Sequence, residues 1–500
     1  MQINKIQELA RWDKELKKVR DCVLGSPFVK AERETYLPNP SNIPPELKNN
    51  DERLKAQKAY DDYLNRAEFD DFTGQTLRVM LGKMSLDKAI IKVPKPLEYL
   101  LTSADGDGLS YRGLMENGFQ NVAPAKWHVI LTDWIGSSDL PEKATKADAK
   151  RANMRVVFRE YRRESVKDYN YEKVNGVYQL NLLVLSQVSE DVQKTNDGIK
   201  RVKREEDLIL GLNANGNYYQ QLIVKSDGAI NKSESTEEVE IFANGKTIKF
   251  IPVHFVCDEE MTTGELPQEF GFLHPIADTC LHRYNVSAKR KTALAKFDPT
   301  IFVEGVTKDA FAQTQEMNGF RGFEMCGVNA IASNDDGTSA KVNMLMPAGA
   351  LGDYYEEDDR SMEKLRMLGA SIDPKTSTNQ TATQANIEAA KQNAFLSPMA
   401  YSLERMTVSL FLYAGMFHGL WDQDDLERNA KKIKVALSRE FAQIKGTPDE
   451  VRAVLDLLSR QIATRTHVVQ MLIDLGWHKG EAEKIIQEIE AEPESTPLIP

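Results

Sequence analysis

A long helix that is followed at once by a strand most constrains how this chain folds. The stretch runs from Phe272 to Gly305. Pro275 suits a first helical turn, and neither Pro nor Gly recurs until Pro299, so the sequence predicts about six unbroken turns. Residues 300–303 are β-branched or aromatic, which predicts a strand. The chain therefore sends a long helix into a small insertion that contains β structure.

This helix carries positive charge in an acidic chain. The stretch from His282 to the helix end has no acid and five cations: Arg283, Lys289, Arg290, Lys291 and Lys296. The whole chain has 64 Lys and Arg against 75 Asp and Glu, a formal charge of -11. A surface of that sign repels a phosphate backbone, which disfavours sequence-specific DNA binding as the main task. A role in which DNA moves past the protein without being bound tightly is compatible with this charge.

Length and cysteine usage limit the class of protein. Five hundred residues, 41% of them apolar and 28% charged, predict about two to four packed units. The four cysteines lie far apart and form no C-x-x-C pair, which disfavours a zinc site and a disulfide framework: Cys22, Cys257, Cys280 and Cys326. We therefore expect a reducing compartment. Residues 1–21 alternate charged and apolar positions at helical period and are not a signal peptide.

The segment 406–421 is the longest uncharged run worth testing as a membrane span. It is too short for a membrane span and contains two Gly and a His, so it predicts a buried helix. Ser397-Pro398 predicts an N-cap and first turn. An apolar stripe then repeats at four-three spacing and predicts core packing or a subunit contact rather than a cofactor site: Met399, Leu403, Met406, Leu410, Tyr413 and Phe417.

The rest of the chain alternates between helical and extended patterns. Helices are predicted at 3–20 and in 51–83, the latter broken near Asp70 or Gly74. From 154 to 251 the period is two, with turn signals at Asn175-Gly176 and Asn244-Gly245, which predicts hairpins in an antiparallel sheet. The last eighty residues are predicted helical, with Thr447-Pro448-Asp449-Glu450 as a capping box and Thr464 or Thr466 opening a further helix.

Four segments have an alternative interpretation as a metal-binding, phosphate-binding or catalytic site. The loop at 104–108 suggests calcium but lacks the acids that an EF-hand needs at its first and twelfth positions. Asp133 is either a strand-end cap or an active-site acid. Gly245-Lys246-Thr247 lacks the first glycine of a phosphate-binding loop and is better interpreted as a hairpin turn. The acidic helix predicted at 353–368 is either a solvated helix start or a metal-binding carboxylate cluster.

Residues 371–386 are nearly uncharged and poor in large apolar groups. This composition is typical of a mobile loop that hydrogen-bonds weakly to a passing molecule, or of an ordinary linker. Its polar positions are Thr376, Thr378, Asn379, Gln380, Thr381 and Thr383.

In order and spacing, residues 32–480 resemble the portal protein of tailed bacteriophages. The resemblance begins with Tyr36-Leu37-Pro38 and a helix like AYDDYLNRAEFDDFTGQTLRVMLGKM, and continues with a sheet like VNGVYQLNLLVLSQV. A long helix like FLHPIADTCLHRYNVSAKRKTAL follows, and Thr381-Ala382-Thr383 opens the last shared helix. No single motif is a fingerprint, so the specificity of the resemblance lies in the order of these segments.

The resemblance implies an α+β fold of portal type. By position, residues 1–270 correspond to an α/β wing, with its antiparallel β region at 154–256. The remaining expected parts are a stem helix at 271–297, a clip at 298–350, a second stem or tunnel helix with tunnel loop and long apolar helix at 351–421, and a helical crown with an acidic tail at 422–500.

The resemblance also implies a function. Portal proteins form a ring, usually a homododecamer, at one capsid vertex of the virion, and double-stranded DNA is packaged and ejected through its channel without sequence specificity. The implied partners are the terminase large subunit, the head-tail adaptor, and the major capsid and scaffold proteins, with assembly in the bacterial host cytoplasm and no membrane. Neither a catalytic residue nor a cofactor nor a metal is implied.

The candidate DNA-channel residues are Lys289, Arg290, Lys291, Thr376, Thr378, Asn379, Gln380, Thr381 and Thr383. For the three cations, a solvated helix face or salt bridges are equal alternatives to DNA contact. The predicted tunnel loop lacks charge, which argues against an active pushing role. Two other functions stay open: a terminase-like ATPase or nuclease, although no phosphate-binding loop is present, and a capsid scaffold that forms no ring.

Overall fold

The protein is a mixture of helices and sheets. The structure, a computed structural model, describes residues 4–40, 50–84, 86, 89–135, 155–174, 176–195, 198–226, 229–230, 235–259, 264–296, 300–304, 307–309, 312–313, 341–345, 351–370, 382–437, 452, 454–457 and 464–474. The α+β class predicted from the sequence is confirmed.

The α-helices of the described residues lie before residue 126 and after residue 272. They are α1 (Gln7–Ala10), α2 (Asp13–Leu24), α3 (Ser26–Ala31), α4 (Asn50–Arg66), α5 (Phe72–Lys83), α6 (Tyr99–Thr102), α7 (Tyr111–Ala125), α8 (Leu273–Lys296), α9 (Leu351–Met367), α10 (Ala382–Phe417), α11 (Leu426–Asn429) and α12 (Arg465–Asp474).

Strands are concentrated between residues 127 and 257. They are β1 (Ile90–Lys92), β2 (Trp127–Ile135), β3 (Arg155–Arg162), β4 (Val166–Val174), β5 (Val177–Thr195), β6 (Gly198–Leu212), β7 (Tyr218–Ser226), β8 (Ala229–Ile230), β9 (Val239–Glu240), β10 (Phe242–Ala243), β11 (Lys246–Thr247), β12 (Val253–Cys257), β13 (Thr300–Glu304), β14 (Lys341–Leu345) and β15 (Lys434–Ala436).

The chain divides into two compact units. The first comprises Met1–Lys18, Gln75–His274 and Ser371–Pro500, and the second comprises Val19–Gly74 and Pro275–Ala370. The wing, stem, clip and crown boundaries expected from the resemblance stay predictions.

A three-stranded antiparallel sheet, ordered β12, β2, β3, lies in the core of the first unit. Its central strand β2 is buried from Trp127 to Asp133, as its apolar sequence predicts. Aromatic rings from α7, β3 and α10 meet beside this sheet, where Tyr111, Phe158 and Phe411 have centroids 4.9 to 5.9 Å apart. Removing such a buried ring typically destabilises a protein by about 3–5 kcal/mol.

A six-stranded antiparallel sheet also belongs to the first unit. Strands β4 to β8 pair in chain order, and β9 also pairs with β7. Most of the period-two region thus forms the predicted antiparallel structure, while its first strand β3 joins the three-stranded sheet and β10 pairs with β11. Fully buried Asp207 lies between two lysines, Lys167 and Lys225, with 2.5 Å between Lys225 Nζ and Asp207 Oδ2. Charged groups that are buried in proteins are normally paired in this way.

Both predicted hairpin turns join paired strands. Val174 pairs with Val177, and Ala243 pairs with Lys246, so each turn has two residues. Asn244 and Gly245 have φ values of 51° and 75°, the left-handed backbone of a type I′ turn. Because Gly245-Lys246-Thr247 spans a hairpin turn and the strand after it, the hairpin interpretation is confirmed.

The predicted helix start at Ser397-Pro398 is wrong. The helix α10 runs through this point for 36 residues, with Pro398 inside it. Packing on both sides of the proline outweighs the local break. Phe395 packs edge-on against Phe119 and in a tilted arrangement against Phe272, with centroids 5.9 and 3.9 Å away, and Met399 is fully buried directly after the proline.

The apolar stripe in α10 packs into the core, as predicted. Met399, Leu403, Met406 and Leu410 are fully buried. In the described part of the chain, no helix is both long and apolar enough to cross a membrane.

The second unit contains a helix, a strand pair and a returning helix. The predicted long helix is confirmed as α8, the predicted strand after it as β13, and the predicted acidic helix as α9. Strand β13 pairs with β14 in antiparallel register from Thr300↔Leu345 to Glu304↔Lys341. Helices α4 and α5 are separated at residues 67–71, close to the predicted break. The predicted turn at 334–337 lies outside the described residues.

Candidate functional site

Helix α8 positions the basic residues singled out in the sequence. With 24 residues it is about 36 Å long. Its buried face carries Ile276, Ala277, Cys280, Tyr284 and Ala288, which recur at helical spacing. This face fixes the rotation of the helix and thereby decides which cations reach solvent.

Arg283 lies on a covered side of α8 and is held by two acids. Its Nη2 and Nε donate to Asp70 Oδ2 at 2.9 and 3.3 Å, and its Nη1 lies 2.9 Å from Asp358 Oδ1. Nη1 also donates to the Asp358 carbonyl oxygen at 2.9 Å. The side chain is 9% exposed, so this guanidinium ties α8 to the 67–71 connector and to α9.

The next two cations are paired as well. Arg290 lies one heptad beyond Arg283 and shares its partner, with Nη1 3.3 Å from Asp358 Oδ2. Its guanidinium also lies 5.6 Å from the centre of the Tyr355 ring. Lys291 forms an ion pair with Glu68. For Arg290 and Lys291, the sequence left salt bridges as an alternative to DNA contact. The structure contains these salt bridges, and they form within one chain.

Lys289 differs from its neighbours. Its side chain is exposed, and it has no ion pair with any described residue. Among the three predicted channel cations, Lys289 is therefore the one with an exposed side chain and no ion pair to a described residue.

The acids of α9 are used by the same network. Glu357 Oε1 lies 2.8 Å from His282 Nε2, Glu356 pairs with Arg360 at 2.6 Å, and Asp358 serves the two arginines of α8. A carboxylate that already has a cation partner is a poorer metal ligand. The geometry therefore favours a solvated helix with ion pairs over a nuclease-type metal cluster.

The polar tunnel-loop candidates lie almost entirely outside the part of the chain that the structure describes. Thr376, Thr378, Asn379, Gln380 and Thr381 are outside it. Thr383 lies in the first turn of α10. Their role in a channel stays a prediction.

The structure also shows the surroundings of the 104–108 loop and of Asp133, for which the sequence left a calcium site and an active-site acid as alternatives. In the 104–108 loop, Asp105 Oδ1 accepts hydrogen bonds from the backbone N–H groups of Asp107 and Leu109 at 2.8 and 3.0 Å, which is a turn-stabilising arrangement. Asp133 lies inside β2, before its end, where its Oδ1 accepts from Gln220 Nε2 at 3.1 Å and its Oδ2 lies 3.5 Å from Arg159 Nε.

Sequence reasoning missed the partners of the α8 cations. Glu68 and Asp70 lie more than two hundred residues before α8 in the chain, and only their position at a helix break distinguished them.

Sequence reasoning also missed Glu160 on β3. This residue lines a cleft of about 690 Å³ in the first unit together with Asp105, Asp107, Asn117, Tyr161 and Gln187.

Glu160 is an unusual carboxyl group. Its Oε2 accepts from Asn117 Nδ2 at 2.8 Å, while its Oε1 is buried, makes no hydrogen bond to a described residue, and lies 3.8 Å from His128 Nε2. Burial raises the pKa of Glu160 to about 7, and the nearby Asp105 adds to the rise, whereas Asn117 and Arg162 oppose it. This group can exchange a proton near neutral pH.

Part of the chain matches a known family model. Residues 273–418 match a domain of unknown function, DUF4055. The matched stretch begins with α8 and ends just after α10, so it includes the helix, strand pair and returning helix of the second unit. It covers less than half of the chain. No curated protein matches the sequence.

Two solved particle structures contain similar chains. One is described as the virion of a native gene transfer agent (GTA) particle; its chain is 9% identical, and the alignment covers 80% of the present chain and 89% of that one with a TM-score of 0.38. The other is described as the neck of an empty GTA particle computed with C6 symmetry, with the same identity and coverage and a TM-score of 0.37. Similarity this weak does not define the function of the present chain.

Proposed function

We propose that this chain is a portal protein, one subunit of a ring at a single capsid vertex of a phage-type virion. Double-stranded DNA enters through the central channel during packaging and leaves through it on ejection. The terminase large subunit and then the head-tail adaptor dock on this ring, which sits among the major capsid and scaffold proteins. The chain performs no bond chemistry itself.

One observation carries the proposal: the passage from α8 through the paired strands β13 and β14 to α9. This excursion occupies the position at which the portal resemblance expects a stem, a clip and a second stem. Ion pairs of Arg283 and Arg290 with Asp358 join the two helices. Two helices held together in this way are suited to support the small strand pair β13–β14 that lies between them in the chain.

The charge distribution also supports a conduit for DNA. A ring of chains at -11 each is strongly acidic, so a DNA column inside it is repelled along most of its length. Lys289, repeated around the ring, supplies one narrow positive belt. Such a surface guides DNA but does not hold it.

The decisive experiment is assembly of the full-length chain. Negative-stain microscopy and mass photometry are expected to show annular particles with a central hole and a mass that is a multiple of one subunit. A chain that stays monomeric under every assembly condition refutes the proposal. Steady ATP hydrolysis by the purified protein in the presence of DNA favours the packaging-enzyme alternative instead.

The DNA contact can be tested at Lys289. Removing one lysine–phosphate pair lowers the slope of log binding constant against log salt by about 0.9. Assembled rings carrying Lys289→Ala are expected to show a shallower slope for duplex DNA than wild-type rings. Lys434→Ala, which removes an exposed lysine on β15, is the matched control. Equal slopes for wild type and both variants contradict the assignment of Lys289.

A further inference from the structure

The hairpin of β5 and β6 is longer than the sheet to which it belongs. Its register runs from Leu182↔Gly211 to Thr195↔Gly198. Strand β4 accompanies β5 only as far as Leu185, and β7 accompanies β6 only from Glu205 onward. Seven cross-strand pairs, from Ser189↔Arg204 outward, therefore have no third strand beside them among the described residues. We call residues 189–204 the β arm.

An isolated two-stranded ribbon is a weak structure in water. Seven residues at about 3.4 Å each extend the arm about 24 Å beyond the sheet. Such a hairpin is at best marginally stable alone, and both of its outer edges present backbone N–H and C=O groups that another strand or chain can pair with. Val188, at the base of the arm, is 64% exposed. The arm therefore has the features of an element that becomes stable in a contact.

The charge of the arm is opposite to that of the rest of the chain. The arm contains three acids, Glu190, Asp191 and Asp197, and five cations: Lys194, Lys200, Arg201, Lys203 and Arg204. It therefore carries +2, and since the whole chain carries -11, the remainder carries -13. The surface that best complements the arm is the surface of another copy of the same chain.

We propose that the β arm binds a neighbouring copy of this chain and is a principal contact between subunits. The contact is heterologous, because the arm of one copy meets a different, acidic face of the next, and repeated contacts of this kind close a ring. Backbone groups at the arm's edges pair with the neighbour, and the net positive charge of the arm is attracted to the neighbour's net negative charge. This inference rests on the proposed ring.

The first test shortens the arm in the full-length chain. Replacing residues 190–203 by Asn-Gly keeps the register, because Ser189 and Arg204 are paired and a two-residue type I′ turn joins such a pair. The shortened variant is expected to need at least a tenfold higher protein concentration for half-assembly in mass photometry, with a circular dichroism spectrum that changes only by the loss of the removed strand residues.

A charge variant keeps the test decisive if the shortened chain fails to fold. Lys200→Glu combined with Lys203→Glu is expected to raise the half-assembly concentration at least tenfold at low salt, and the matched control, Lys200→Arg with Lys203→Arg, is expected to assemble like wild type. Hydrogen exchange should also slow in the arm amides when wild-type chains assemble.

Rings formed equally well by the shortened or charge-reversed chain overturn this inference and leave the proposed function intact. If the variants assemble normally but lose affinity for duplex DNA, the arm binds nucleic acid and the inference is wrong. A wild-type chain that never forms rings overturns the proposed function itself, and this inference falls with it.

Discussion

Replacing Glu160 by Gln tests how strongly the first unit buries a carboxyl group. The pKa of this group rises from 4.5 to about 7 on folding, because burial removes water from the charged form. Between these values the folded protein keeps a proton that the unfolded chain has released. Stability is therefore highest at acid pH and falls as pH rises through this window.

The size of the effect follows from that difference. At about 1.36 kcal/mol per pH unit, the rise from 4.5 to about 7 corresponds to an upper limit of about 3 kcal/mol of lost stability above pH 7. Gln has the same shape and carries no charge, and its amide oxygen can accept the hydrogen bond from Asn117. We expect Glu160→Gln to be more stable than wild type by about 1–3 kcal/mol at pH 8 and nearly equal to it at about pH 4.5.

Urea denaturation at a series of pH values, followed by tryptophan fluorescence, measures this difference. Glu116→Gln is the control, because Glu116 forms a surface ion pair with Arg112 at 3.0 Å that is worth at most about 1 kcal/mol. At each pH the free energy of unfolding of the variant is subtracted from that of wild type. Only this difference is interpreted, because other groups titrate in the same range. A difference that does not change between the acid and alkaline ends of this series, or a variant less stable at the alkaline end, refutes the reasoning.

Two further predictions concern packing in α10. A Cβ at Gly415 would lie 2.0 Å from Cζ2 of Trp421, so Gly415→Ala is expected to destabilise the protein by about 1–3 kcal/mol in thermal or urea unfolding; Gly352→Ala, which meets nothing within 4 Å, is the control, and equal effects of the two would contradict the close approach. Pro398→Ala is expected to raise stability by up to about 3 kcal/mol, because proline is that unfavourable inside a helix; a loss of stability would show that the proline fits its site better than alanine does.

Local pattern was sufficient to predict most elements of the fold. The limits of α8 and α9 fall within two residues of the expected ones, because the proline, glycine and apolar spacing that define them are local. The same local reasoning failed at Pro398, where the helix is continued by rings that come from α7 and from the segment before α8. Packing between residues hundreds of positions apart outweighed a strong local signal.

The candidate site was less accessible to sequence reasoning. The cations of α8 could be found by counting, but their partners Glu68, Asp70 and Asp358 come from two distant parts of the chain. Glu160 gave no signal at all, because a glutamate in a strand looks the same whether its face is solvated or buried. Pairing and burial are properties of the packed chain.

The ion pairs of α8 change what its charge can do. Counted from sequence, the helix offers a positive band with five cations and no acid after His282. Arg283, Arg290 and Lys291 instead pair with acids of the same unit, so that of the three predicted channel cations Lys289 is the one without an ion pair to a described residue. In the proposed ring, attraction at one level of an otherwise repulsive channel would lower the barrier to DNA entry without creating the run of contacts that would stop DNA from sliding. The ion pairs that join the two helices therefore also keep the proposed channel free of strong DNA binding.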